Sequence, residues 1–266
     1  MKKMLWASGL CMVLMAGSMA QQGLAGRLAG GEALYSRDPG IWSFETYPAA
    51  LALQKKMMAG VYGEKRFMSD LAFFNVMFNG VFRKQPLMVS LSREGTNAFS
   101  KNRLSISAGK KIGKGIQLGV NIGYASYNAR GYPSHGEVIA GLGALLQLDE
   151  RIRIGIQVNH LNDLTEKKEF RFLFRTGMGY FLSDVCSITI EVIKESGRTV
   201  LTDAGIRYDF HPNVYARLGY NPTLSLVSFN IGYHDRQFRI EAGQATHLSL
   251  GSTWGLSMMY IFNNDE

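Results

Sequence analysis

One stretch constrains the fold more than any other. In Arg151-Ile152-Arg153-Ile154-Gly155-Ile156-Gln157-Val158-Asn159 every even position is β-branched and apolar, and every odd one is polar or Gly. That is a period of two, not 3.6, so the segment is a strand with one apolar and one polar face. The pattern recurs in Gly115–Tyr124, Leu104–Gly109, Ser187–Val192 and Phe170–Arg175, and in the closing run from Leu250 to Phe262. The periodicity predicts strands at 57–67, 70–82, 86–92, 101–110, 114–126, 136–147, 150–160, 168–181, 184–194, 198–209, 213–220, 223–233, 236–245 and 248–262. Most are near ten residues, the length a tilted membrane-spanning strand needs. A secreted soluble β-sandwich would alternate too, but with shorter strands and more turn proline.

The expectation is an all-β, transmembrane antiparallel β-barrel of about 14 strands, with lipid outside. Mean hydropathy is −0.04, and charged residues are 19%. Such a middling mean is what alternating lipid-facing and lumen-facing residues produce. Ile, Val, Leu and Phe cannot all face water, and a closed barrel is the β structure whose backbone is satisfied in lipid. The apolar face therefore points out. The polar face carries Arg151, Arg153, Arg171, Arg175, Glu191, Asp203, Arg207, Arg217, Arg239 and Glu241, the expected lumen lining. Both signs occur, which predicts cross-strand ion pairs. Tyr62, Tyr124, Tyr127, Tyr132, Tyr180, Tyr208, Tyr220, Tyr233 and Tyr260 fall near strand ends, as an interfacial girdle would. Longer connections are expected at 93–100, 127–135 and 161–167. An even strand count puts both barrel termini on the periplasmic side.

The N-terminus reads as a signal peptide over residues 1–20. Lys2 and Lys3 precede an apolar run from Leu5 to Met15, and Ser18-Met19-Ala20 is a small-x-small cleavage site. Cleavage removes Cys11, leaving Cys186 with no intrachain partner, and the formal charge falls from +8 to +6 as the two lysines leave. No basic stripe with interleaved aromatics is present, so no nucleic-acid partner is expected. Residues 21–56 lack strand alternation yet contain Trp42, Phe44 and Leu51. Those groups need shelter, and the lumen of a barrel over 57–266 is the nearest.

The run Gly30-Gly31-Glu32-Ala33, then Asp38-Pro39-Gly40-Ile41-Trp42-Ser43-Phe44-Glu45-Thr46-Tyr47-Pro48-Ala49-Ala50-Leu51-Ala52, resembles the start of FadL-type outer-membrane barrels, more closely their PorV/PorQ branch. Gly60–Phe67 looks like that branch's first strand. Tyr47 stands where the family has Asn, and Ala50 where it has Gly. The resemblance implies a 14-stranded barrel with an N-terminal plug, or hatch, that includes Trp42, Phe44, Tyr47 and Pro48. It also implies an accessory, partner-binding role in type IX-like protein secretion. The alternative is a FadL-like transporter of hydrophobic small molecules, which needs an apolar pocket, an interrupted strand and a movable plug. A plain porin is a third reading.

Catalysis is not expected. His247-Leu248-Ser249 has the H-x-S spacing of an outer-membrane phospholipase, but Leu250-Gly251 follows where Asn-Gly would stand. His135, His160, His211 and His234 are scattered, so neither metal nor cofactor is expected.

Overall fold

The computed structural model describes residues 32–66, 71–83, 85–163 and 171–262. The expected signal peptide with Cys11 and Ala20, residues 21–31 of the expected plug, the turn at 68–69 and most of the connection after residue 163 lie outside the described residues.

Fourteen strands form one closed antiparallel barrel: β1 (Met57–Lys65), β2 (Ala72–Phe82), β3 (Gln85–Gly95), β4 (Phe99–Gly113), β5 (Ile116–Ala129), β6 (His135–Gln147), β7 (Ile152–Asp163), β8 (Arg171–Phe181), β9 (Cys186–Glu195), β10 (Leu201–His211), β11 (Val214–Asn221), β12 (Leu226–His234), β13 (Phe238–His247) and β14 (Gly251–Phe262). Each strand pairs with its sequence neighbours, and β1 closes on β14 with Val61 opposite Met258. Among the described residues the ladders shift register at Lys111/Gly113 and Asp209/His211, both at strand ends. Closure leaves no strand edge, so every ladder group has a partner in a medium that offers none.

Side chains sort by parity. Ile122, Leu142, Leu91 and Leu256 are among the most exposed large apolar residues, while their neighbours Asn121, Gly141, Ser90 and Ser257 are buried. Exposed apolar groups outside and buried Ser, Asn, Gln, Glu and Arg inside invert a soluble protein, and only lipid makes that arrangement favourable. Outward aromatics gather toward both ends. Tyr208, Phe210, Tyr233 and Phe262 stand near one mouth, and Tyr124, Tyr220 and Trp254 near the other. Tyr62 and Tyr127 depart from the expected girdle. They share the inward parity and donate to Glu64 at 2.5 Å and Glu137 at 2.7 Å.

The expected long connections at 93–100 and 127–135 are shorter, because β3, β4, β5 and β6 run on through polar sequence. Ser92–Gly95 pairs with Ser100–Arg103, and Tyr127 pairs with His135. Backbone pairing does not require apolar side chains, so the strands outlast the apolar alternation.

The N-terminal segment sits inside. A helical turn α1 (Glu32–Tyr35), a second, α2 (Ser43–Thr46), and a 3-10 helix (Pro48–Leu53) lead into β1. Ile41, Phe44, Tyr47, Ala49 and Leu51 are fully buried. The wall makes room with glycine. A Cβ on Gly109 would come 2.7 Å from Ala52 N and 2.8 Å from Leu51 Cβ. One on Gly155 would come 2.7 Å from both Leu34 Cδ2 and Tyr47 Cε1. The segment fills the half of the lumen nearer the mouth where β1 begins and β14 ends, called here the near mouth.

Candidate functional site

The junction of plug and wall is where this barrel concentrates its chemistry. Glu32, on α1, is buried and accepts from Arg239 of β13 and from Arg207 of β10, the latter at 3.3 Å. Arg207 also pairs with Asp209 at 2.8 Å. Arg217 of β11 pairs with Glu241 and donates to the Tyr35 hydroxyl at 2.9 Å. The Tyr215 ring lies among these arginines, with the guanidinium carbons of Arg207, Arg239 and Arg217 at 4.1, 5.0 and 5.2 Å from its centroid. Its hydroxyl donates to Glu241 at 2.8 Å and accepts from Arg239 at 2.8 Å. One carboxylate of the plug thus docks into three wall arginines arranged around an aromatic ring.

Two further stations hold the segment. Arg153 donates to the carbonyls of Ala33 at 2.8 Å and Ser36 at 2.7 Å, which are acceptors left open where α1 ends. Tyr47 donates to Glu191 at 2.6 Å, and Arg175 stands 3.8 Å from the same carboxylate oxygen. Trp42 packs against Tyr62 with centroids 5.7 Å apart, Phe44 is enclosed, and Pro48 presents its backbone to Gly109 and Gly119. Toward the far mouth, Glu45 of α2 accepts from Asn75 at 3.0 Å and faces Arg103 at 3.7 Å.

The electrostatics follow from burial and neighbours. Burial pushes the Glu32 carboxyl up, but Arg239, Arg217 and Arg207 together outweigh it and hold the group below the ordinary Glu range. Burial raises the phenols of Tyr35 and Tyr47, and Glu191 raises Tyr47 further. At the near-mouth stations the plug therefore meets the wall as one carboxylate, Glu32, and two neutral phenols.

Of the residues expected to line the lumen, Arg153, Arg175, Glu191, Arg207, Arg217, Arg239 and Glu241 are buried and share the inward parity. Asp203 accepts from Asn221 at 2.7 Å, and Arg171 meets Glu137 at 2.6 Å near the far mouth. Arg151 differs. It is exposed in the turn before β7, which begins one residue later, so its side chain belongs to the mouth and not to the lumen. The expected cross-strand ion pairs are present, Arg175–Glu191 joining β8 to β9 and Arg171–Glu137 joining β8 to β6, and two further arginines turn to the plug. Arg217–Glu241 joins two wall strands, whereas Arg239 pairs with the plug carboxylate and Arg153 with plug carbonyls. Sequence reasoning did not single out Glu32. Its signal is a lone acid in the otherwise uncharged Ala/Gly/Leu-rich run from Leu28 to Ser36.

His247 and Ser249 lie at the exposed β13–β14 turn. His247 Nδ1 accepts from the backbone N–H groups of Ser249 at 3.1 Å and Leu250 at 3.2 Å, the geometry of a turn cap. Among the described residues no group of three or more His, Cys, Asp or Glu is placed to hold a metal ion.

No protein-family model and no curated protein matches the sequence. Solved structures do match. A "TodX deltaS2S3 mutant monoaromatic hydrocarbon channel" aligns at TM-score 0.66 and 10% identity, over 91% of this chain and 98% of that one. A Pseudomonas aeruginosa FadL homologue aligns at 0.62 and 13%, over 91% and 98%. The Ralstonia pickettii toluene transporter TbuX aligns at 0.60 and 12%, over 90% and 96%. At such identities the likeness is one of fold, and the chain is structurally similar to FadL/TodX-type outer-membrane channels.

Proposed function

We propose that this chain is a plugged outer-membrane channel that passes small hydrophobic molecules when the plug shifts, with both barrel termini periplasmic. The observation that carries the reading is the way residues 32–54 are held. The segment fits the lumen closely but is fixed by hydrogen bonds and ion pairs, which water can replace group by group as it moves. The structures of like fold include ones described as toluene transporters and monoaromatic hydrocarbon channels. Ile139, Leu173, Ile193, Leu201 and Leu226 share the inward parity in the far half of the lumen, giving a hydrophobic solute a surface above the plug.

The accessory role in protein secretion has less behind it. A partner would dock on the rim, yet the described far-mouth connections at 96–98, 130–134, 196–200, 222–225 and 248–250 are three to five residues long. Toluene entry into proteoliposomes tests the transport reading. The full chain should accelerate entry over protein-free vesicles, and cross-linking the plug to the wall should abolish the gain. Equal rates with and without protein would reject transport. Stable co-purification of an envelope protein complex would then favour the accessory role.

A further inference from the structure

The plug is seated off centre. Its helical turns press on the wall from β3 to β9 and on β1, where a Cβ on Gly109, Gly155, Gly177 or Gly60 would collide with plug atoms. The opposite wall differs. On β10 and β11, Gly205 and Gly219 are register partners and share the inward parity, so neither sends a side chain into the lumen. A Cβ on Gly205 would meet Thr189 Oγ1 at 3.0 Å and the Leu218 carbonyl at 3.5 Å, with no atom of the described plug residues within 4 Å. A cavity of about 40 Å³ lies there, lined by Tyr35, Thr189, Glu191, Asp203, Arg217 and Ser228 and extending to Asn221 and Leu226 at the far ends of β11 and β12.

Size and chemistry restrict what enters. At about 10–15 Å³ per water the cavity holds roughly three, whereas an apolar cavity that takes benzene is about 150 Å³. Arg217 is offset by Glu241 and Glu191 by Arg175, while Asp203 accepts from Asn221, an amide that carries no charge to offset it. The lining therefore disfavours anions. The Thr189 and Ser228 hydroxyls and the Asp203 carboxylate offer hydrogen bonds to a polar solute.

We infer that this cavity is a hydrated binding site for small polar, non-anionic solutes of glycerol or urea size or less, entered from the far mouth and floored by the Tyr35–Arg217 hydrogen bond. It opens beside the surface proposed for hydrophobic molecules, which shares Leu226, but exists with the plug seated.

Cysteine accessibility tests the cavity itself. In a Cys186→Ser background, Gly205→Cys should react with a small polar methanethiosulfonate reagent in folded protein and not with a bulky biotin-maleimide. An unreactive Gly205→Cys, or equal reaction with both reagents, would overturn the site. Glycerol-driven swelling of proteoliposomes tests the floor. Tyr35→Ala should raise the swelling rate severalfold, and adding Gly205→Trp should remove that gain. If Tyr35→Ala has no effect, or if the double variant swells as fast as Tyr35→Ala, solute does not pass this way and the inference fails. Heat-modifiable migration of each variant confirms a closed barrel. Toluene uptake by the unmodified protein is read separately, so failure here leaves the transport reading standing or falling on its own measurement.

Discussion

The Tyr47 hydroxyl donates 2.6 Å to the Glu191 carboxylate, joining the turn between α2 and the 3-10 helix to the middle of β9. In the sequence resemblance to FadL-type barrels, Tyr47 stands at the position of an Asn. Here a longer phenol reaches across to the wall from the same turn. Removing its hydroxyl leaves a buried carboxylate short of one donor, which costs about 1–3 kcal/mol. Tyr47→Phe should weaken plug seating by about that much without disturbing the barrel. Hydrogen exchange of residues 32–54 against the strand amides checks this: plug amides should exchange faster and strand amides at unchanged rates.

Seating also depends on absent side chains. A Cβ on Gly109 would push on the 3-10 helix backbone, whereas one on Gly63 meets nothing within 4 Å. Gly109→Val should therefore expose the plug to protease while heat-resistant barrel migration persists. Gly63→Ala should change neither.

Acid should loosen the near-mouth latch. Glu32 is held below the ordinary Glu value of about 4.3 by its arginines, against the opposing effect of burial. A depressed folded value means the contribution to docking is fully present above the ordinary value and is lost as pH falls through the depressed one. Protease cleavage within residues 32–54 should rise below about pH 4. Glu32→Gln leaves two buried arginines without their shared carboxylate, a change that costs about 3–5 kcal/mol. That variant should be loose at every pH, with the acid step flattened. An acid step of equal size in Glu32→Gln would assign it to another group.

The lipid-facing assignment predicts depth dependence. Leu142 is 69% exposed in the body of β6, and Leu148 is 63% exposed in the turn that follows. Leu142→Arg should cost about 2–4 kcal/mol in bilayer-refolded protein, and Leu148→Arg about 0–1 kcal/mol. Equal costs would place the membrane elsewhere on the barrel.

The strands were legible because each presents one face to lipid and the other to a polar lumen, which writes a period of two into the chain. Their ends were less so. Ser92–Gly95 and Ser100–Arg103 pair beyond the apolar band, where pairing leaves no hydrophobic trace. At the site, the inward parity of Arg153, Arg207, Arg217 and Arg239 could be read from their own segments. What they bind could not, because the partners of Arg153 and Arg239 lie 117 or more residues away in a segment without periodicity. Gln157 shows the same limit. Its lumen-facing parity reads as tolerant, yet it donates to Asn121 and Asn159 and packs onto the bare Gly141 and Gly143.

Single-channel conductance in planar bilayers tests the plugged barrel most directly. The chain from Gln21 should show little steady current. Deleting residues 21–54 should produce open-pore conductance while heat-modifiable migration is kept, because the ladders close without the plug. A full-length chain that conducts as freely as the deletion would contradict a lumen filled by its own N-terminal segment.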